Sequence, residues 1–98
     1  MKLSEILNRI SITESHGDLD VEIADIASDS RNVTGGTLFV AVRGTKLDGH
    51  DYIPAVVSAG AAAVVCEQLP SPLPEGVVFV KVDDTADALG KIASAFYG

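Results

Sequence analysis

"TLFVAV", residues 37 to 42, decides how this chain folds. The run is almost continuously apolar and rich in β-forming residues, where a strand with one wet face would alternate apolar with polar. Strands of that kind are covered on both faces. Residues 37–42 are therefore predicted to be a central strand, with other structure packed above and below it.

Downstream, "RGTKLDGHD" (43–51) combines glycines and aspartates and reads as a loop. Ile53, Val56, Val57 and Gly60 then recur at i, i+3, i+4 and i+7, which predicts a helix. Asp51 is the expected N-cap, because it leaves Pro54 in the first turn, where a missing N–H costs nothing; a cap at Asp48 would push the proline into the helix interior. Gly60 is the expected stop. "AAAVVC" (61–66) and "VVFVKV" (77–82) read as two further buried strands, separated by the proline-rich loop "EQLPSPLPEG" (67–76). Strand, helix and strand joined by a crossover imply at least one parallel pair. Asp84 and Asp87 stand in capping-box spacing ahead of Leu89, Ile92, Ala93 and Phe96, so a closing helix follows.

Upstream, Leu3, Ile6, Leu7 and Ile10 share one face of a short amphipathic helix, and "SITESHGDLD" (11–20) reads as a polar loop. Val21, Ile23 and Ile26 suggest a strand with a local irregularity. The predicted class is α/β: one domain, with a small mixed or parallel sheet packed with helices.

Composition restricts the partners. The chain has 98 residues, 47% hydrophobic and 21% charged, which suits one folded domain rather than a disordered segment. Seven Lys and Arg against 14 Asp and Glu give a net charge of −7, so nucleic acid and anionic membrane are excluded as main partners, although backbone N–H groups can still hold one small anion. The single cysteine, Cys66, lies in an apolar run, forms no internal disulfide and suits a reducing cytoplasm. No stretch approaches the ~18 apolar residues of a membrane-spanning helix, and "MKLSEILNRI" lacks the apolar centre of a signal peptide. "IASAFYG" stops close to the predicted helix end, and the chain reads as the first piece of a longer one.

Catalytic motifs are scarce. "RGTK" (43–46) and "LGKI" (89–92) are the nearest approaches to a phosphate-binding loop, and neither has the second glycine at the required spacing. There is no cysteine pair for a metal, and His16 and His50 fall in polar segments where an exposed, inert imidazole is expected. A Ser30–His50 pair has no nucleophile elbow or oxyanion-hole motif to support it. No catalytic residue and no cofactor are expected within these residues.

Two loops remain. The segment after the central strand lies where open α/β sheets bind ligands, and Gly44, Thr45 and Lys46 offer a close backbone approach, a hydroxyl and a positive charge suited to nucleotide phosphates. "SDSR" (28–31) precedes the same strand. Turn chemistry alone also accounts for both: Asp29 and Ser30 bonding nearby amides, Arg31 paired with a carboxylate, and Gly and Asp shaping the second loop.

The ordered motifs "DSR", "V-x-x-G-x-LFVA-x-x-G" and "DGHDYI-x-x-A-x-x-x-GA" resemble the amino-terminal domain of the Mur ligases, from "KLSEIL" to "FYG". "FYG" is most similar to the branch that adds the third residue (diaminopimelate, lysine or another) to the UDP-MurNAc peptide, while the D-Ala-D-Ala-adding branch shares the "LFVA…DGHDF" type of pattern. The resemblance implies a three-domain cytoplasmic enzyme whose first domain holds the UDP end of UDP-MurNAc-L-Ala-D-Glu. ATP and Mg would bind the central domain, and the last would select the amino acid. By position, it implies uracil contacts at Ser30 and at Ser28, where relatives often carry an apolar residue, and nucleotide contacts along Thr45, Lys46 and Leu47. Asp48, Gly49 and His50 would shape the turn. The alternative is a stand-alone interaction module that keeps the fold without the ligand.

Overall fold

The computed structural model describes residues 1–98 as one layered α/β unit. The strands are β1 (Glu14–His16), β2 (Asp25–Ala27), β3 (Thr37–Val40), β4 (Ala63–Cys66) and β5 (Val78–Lys81), in the spatial order β1-β5-β4-β3-β2. β2, β3, β4 and β5 run parallel and β1 runs antiparallel to β5, so the sheet is mixed. The helices are α1 (Leu3–Ile6), α2 (Ile53–Ser58) and α3 (Thr85–Tyr97).

Every residue of β3 and β4 is buried, as the apolar runs required. Because side chains alternate along a strand, the two faces sort cleanly. Leu38, Val40, Ala63, Val65, Val78 and Val80 meet Leu3, Ile6 and Leu7 of the α1 segment and Ala88 and Ile92 of α3. Phe39, Val64, Cys66 and Phe79 face the other way, onto Ile53 and Val56 of α2. Leu69 and Leu73 of the proline-rich loop, with Val77 just ahead of β5, complete that second layer. The β4-to-β5 crossover thus covers the sheet with an irregular segment where α2 does so between β3 and β4.

The three buried strands are shortened at one or both ends, and the irregular strand over 21–26 resolves into a lone bridge, Lys2 to Glu22, followed by the three-residue β2. Two expectations are corrected. Residues 14–16 form β1 rather than a loop: Glu14, Ser15 and His16 pair with Lys81, Val80 and Phe79. An edge strand bonded on one side needs only its backbone for pairing, so its polar side chains gave no alternation to detect.

The second correction concerns the start of α2. Neither aspartate caps α2, whose N-cap is Tyr52 with no side-chain bond; the Asp48 carboxylate instead accepts from His50 N–H at 2.9 Å and caps a separate 3-10 turn over Gly49–Tyr52. That turn precedes α2, so Pro54 falls in the first helical turn as expected, while Asp51 lies within the 3-10 turn. Gly60 does stop the helix, at φ +99, and Asp84 caps α3 by accepting from Asp87 N–H at 3.1 Å.

Candidate functional site

The loops that leave β2 and β3 at their carboxyl ends face each other across a cleft of about 510 Å³. Ser28, Asp29, Ser30 and Arg31 line one side, and Val42, Gly44, Leu47, Gly49 and Tyr52 the other. The volume lies inside the ~300–1,000 Å³ range of small-molecule pockets, and the position is the one where parallel sheets bind ligands.

The first wall is held by Asp29. Its carboxylate accepts from Arg31 N–H at 2.9 Å, which caps a 3-10 turn over Ser30–Asn32, and from the Arg31 guanidinium at 2.7 to 3.2 Å. The guanidinium hydrogen bond first, and the Arg31 amide second, push the Asp29 carboxyl down to about 2. The expected turn is therefore present, with Asp29 as its cap rather than Asp29 and Ser30 together. Arg31 is largely exposed, so its charge remains accessible to a ligand across the cleft.

The second wall is a small hairpin. Arg43 and Asp48 form an antiparallel bridge, and Gly44 N–H donates to Leu47 O at 2.7 Å. Thr45 and Lys46 therefore occupy the exposed tip, while Leu47, two-thirds exposed, returns along the cleft. Gly49 brings the hairpin back onto the segment just past β3, its N–H donating to Val42 O at 2.9 Å. A Cβ there would lie 2.8 Å from Val42 N, so only glycine fits this approach.

Of the five residues singled out from the sequence, Ser28, Ser30 and Leu47 come together on the cleft. Thr45 and Lys46 do not line it, because a four-residue hairpin turns its middle residues away from its base. Tyr52 and Val42 were not foreseen as lining residues; an aromatic immediately before a helix start was the available signal for Tyr52.

His50 is also corrected. It is not exposed, with its side chain only 11% exposed. Nδ1 lies 2.8 Å from Asp48 Oδ1, and Nε2 accepts from Glu67 N–H at 2.9 Å. Both ring nitrogens are thus engaged away from Ser30, which removes the Ser30–His50 pair as a catalytic arrangement. Hydrogen bonds from the His50 amide and ring hold the Asp48 carboxyl below its ordinary value, with Arg43 adding a smaller effect. His16 lies on β1 and pairs with Glu14.

Burial pushes the Cys66 thiol up to about 11, which makes it a core side chain and not a nucleophile. No group of His, Cys, Asp and Glu is arranged to hold a metal, and no helix is long and apolar enough to cross a membrane. A second hollow, of about 470 Å³, lies between α1 and α3, built from helix surface and without a strand-end loop. Fold and cleft together define a small α/β domain with a cleft between the loops at the carboxyl ends of its parallel strands.

Residues 22–97 match the family described as "Mur ligase family, catalytic domain". The chain belongs to the Mur ligase family, and within it is an amino-terminal domain. It is 51% identical over its whole length to the UDP-N-acetylmuramoyl-L-alanyl-D-glutamate–2,6-diaminopimelate ligase of Bacteroides fragilis, covering 20% of that protein. Against the enzyme of the same name from Geobacter metallireducens it is 47% identical, covering 19%. The chain thus spans about a fifth of the length of these curated relatives. MurF from Acinetobacter baumannii has the same fold, with a TM-score of 0.77 and 25% identity over 96% of this chain and 20% of that one. MurF from Thermotoga maritima, solved with ADP, superposes with a TM-score of 0.61 and 31% identity over 80% of this chain and 17% of that one.

Proposed function

We propose that this domain binds the uridine diphosphate end of UDP-MurNAc-L-Ala-D-Glu and positions it in an ATP-dependent ligase that adds the third amino acid of the peptidoglycan precursor. One observation carries the reading: "SDSR" and the Gly44–Gly49 hairpin, far apart in sequence, form opposite walls of one cleft. Ser28 and Ser30 offer hydroxyls to the base, Leu47 and Tyr52 an apolar surface against it, and Arg31 a cation. Thr45 and Lys46 stand at the rim, where Lys46 acts through charge and the backbone supplies the close contacts.

Relatives named for the diaminopimelate-adding reaction, at 51% and 47% identity, support the tripeptide-forming branch over the D-Ala-D-Ala-adding one, whose solved members share the fold at 25% and 31%. In the parent enzyme, ATP and Mg act in another domain, where ATP activates the terminal carboxylate for attack by an amine. This domain's contribution is anchoring. Holding a remote handle pre-pays part of the entropy of bringing reactants together, with effective molarities of ~10⁵ M or more in well-oriented cases. UDP-MurNAc peptide and the other domains of the same polypeptide are the partners, and the cytoplasm, where nucleotide precursors are made, is the compartment.

Titrating UDP into the ¹⁵N-labelled 98-residue chain tests the site. Amides of residues 28–31 and 44–47 are expected to shift with UDP and to respond much less to ADP. Shifts confined to the α1–α3 hollow, or equal responses to both nucleotides, refute it.

A further inference from the structure

We propose that His50 is a positioning residue that holds the Gly44–Gly49 hairpin against the cleft only while its imidazole is neutral. A chain of hydrogen bonds crosses three elements here. Asp48, at the base of the hairpin, accepts from both the amide and the ring Nδ1 of His50. The opposite nitrogen, Nε2, faces backbone N–H groups at the end of β4: Glu67 at 2.9 Å and Gln68 at 3.4 Å. Backbone N–H groups only donate, so Nε2 must carry a lone pair and Nδ1 the proton. The Glu67 carboxylate continues the chain, accepting from Thr85 N–H at 3.0 Å and Thr85 Oγ1 at 3.1 Å at the start of α3.

Adding a proton to Nε2 places a donor against two donors. The Glu67 and Gln68 amides lose the imidazole as acceptor, and the hairpin is left with only the looser Arg43–Glu67 contact, at 3.6 Å, to the end of β4. The charged groups around the ring oppose one another: Asp48 on its own turn and Glu67 from β4 favour the cation, whereas Arg43, 3.7 Å from Asp48 and 3.6 Å from Glu67, disfavours it. The consequence for ligand binding rests on the uridine reading; the pin itself does not.

Ring and amide ¹⁵N spectra of the 98-residue chain between about pH 8 and pH 5, the range in which imidazoles change charge, test the pin without ligand. At the alkaline end, Nε2 is expected unprotonated. On acidification the Glu67 amide should move with the same midpoint as the His50 ring, and Gly44, Leu47 and Gly49 should follow. His50→Gln retains an acceptor at the ε position and cannot charge, so in that variant these amides should stay still over the same range. A protonated Nε2 at pH 8 overturns the proposal, as does the same Glu67 titration in His50→Gln; the first readout needs no variant to fold. UDP-N-acetylglucosamine, whose pyrophosphate diester does not titrate in this range, should bind the native chain about fivefold more weakly at the acidic end, the equivalent of losing one net hydrogen bond. In His50→Gln it should bind equally at both ends. An equal loss there overturns the coupling. If this nucleotide shifts no amide at either wall, the uridine reading fails and the ligand-free spectra still decide the pin.

Discussion

Gly49→Ala tests whether the cleft is built by close backbone approach. An ideal Cβ at residue 49 meets Val42 N at 2.8 Å, Ala41 Cα at 3.0 Å and Val42 O at 3.0 Å. All three are backbone atoms of the strand end, so no side chain can rotate away. Retreat of the hairpin strains the Gly49 N–H bond to Val42 O. Overpacking of this kind costs about 1–3 kcal/mol. Gly49 is not among the residues with positive φ, so alanine keeps the ~0.4–1 kcal/mol gained by restricting the unfolded chain. The net expectation is a loss of about 1–2 kcal/mol, or a drop in Tm of about 4–15 °C for a domain of this size. Gly90→Ala is the matched control: it lies inside α3 with nothing within 4 Å of its Cβ position, and alanine there should gain about 0.5–1 kcal/mol. Equilibrium urea denaturation of both variants, with unchanged m, measures the difference. Native-like stability in Gly49→Ala, or an equal loss in Gly90→Ala, refutes the reasoning.

Cys66 should be unreactive toward a disulfide reagent in the native chain and react fully once urea exposes it, because its thiol is both enclosed and held near 11. Rapid native labelling would contradict the packing of the second face. Asp29 should remain ionised well below its ordinary 3.8, down to about 2, and Arg31→Ala should return it toward the ordinary value in a carboxyl ¹³C titration. Since the folded carboxyl is depressed, whatever it adds to stability is present above the unfolded value and lost as pH falls toward 2. The pair is open to water, so the contribution should be small and weaken with salt.

The buried strands were legible because burial on both faces leaves a compositional trace. "TLFVAV", "AAAVVC" and "VVFVKV" each contain a strand of the central parallel set, and Ile53, Val56 and Gly60 gave the crossover helix and its stop. β1 was not legible. Its pairing partner is the backbone of β5, its own side chains are polar, and three residues are too few for a period. The second face of the sheet was also hidden in part, since Leu69 and Leu73 pack on it from a segment whose prolines mark it only as a loop.

The 3-10 turn ahead of α2 is why only part of the site was legible in the sequence. Spacing treats residues 48–54 as the approach to one helix, and on that assumption Pro54 excludes Asp48 as cap. The chain instead places a 3-10 turn there and restarts as α2, which frees Asp48 to face both Arg43 and His50. With Asp48 bound to Arg43 across the hairpin, Leu47 returns to the cleft while Thr45 and Lys46 are carried to the tip. With Asp48 bound to His50, the imidazole reaches Glu67, 17 residues on. No local pattern encodes that contact, because it requires the parallel register that sets the ends of β3 and β4 side by side. "DGHD" therefore does more than turn the chain: it makes one wall of the cleft depend on the adjacent strand.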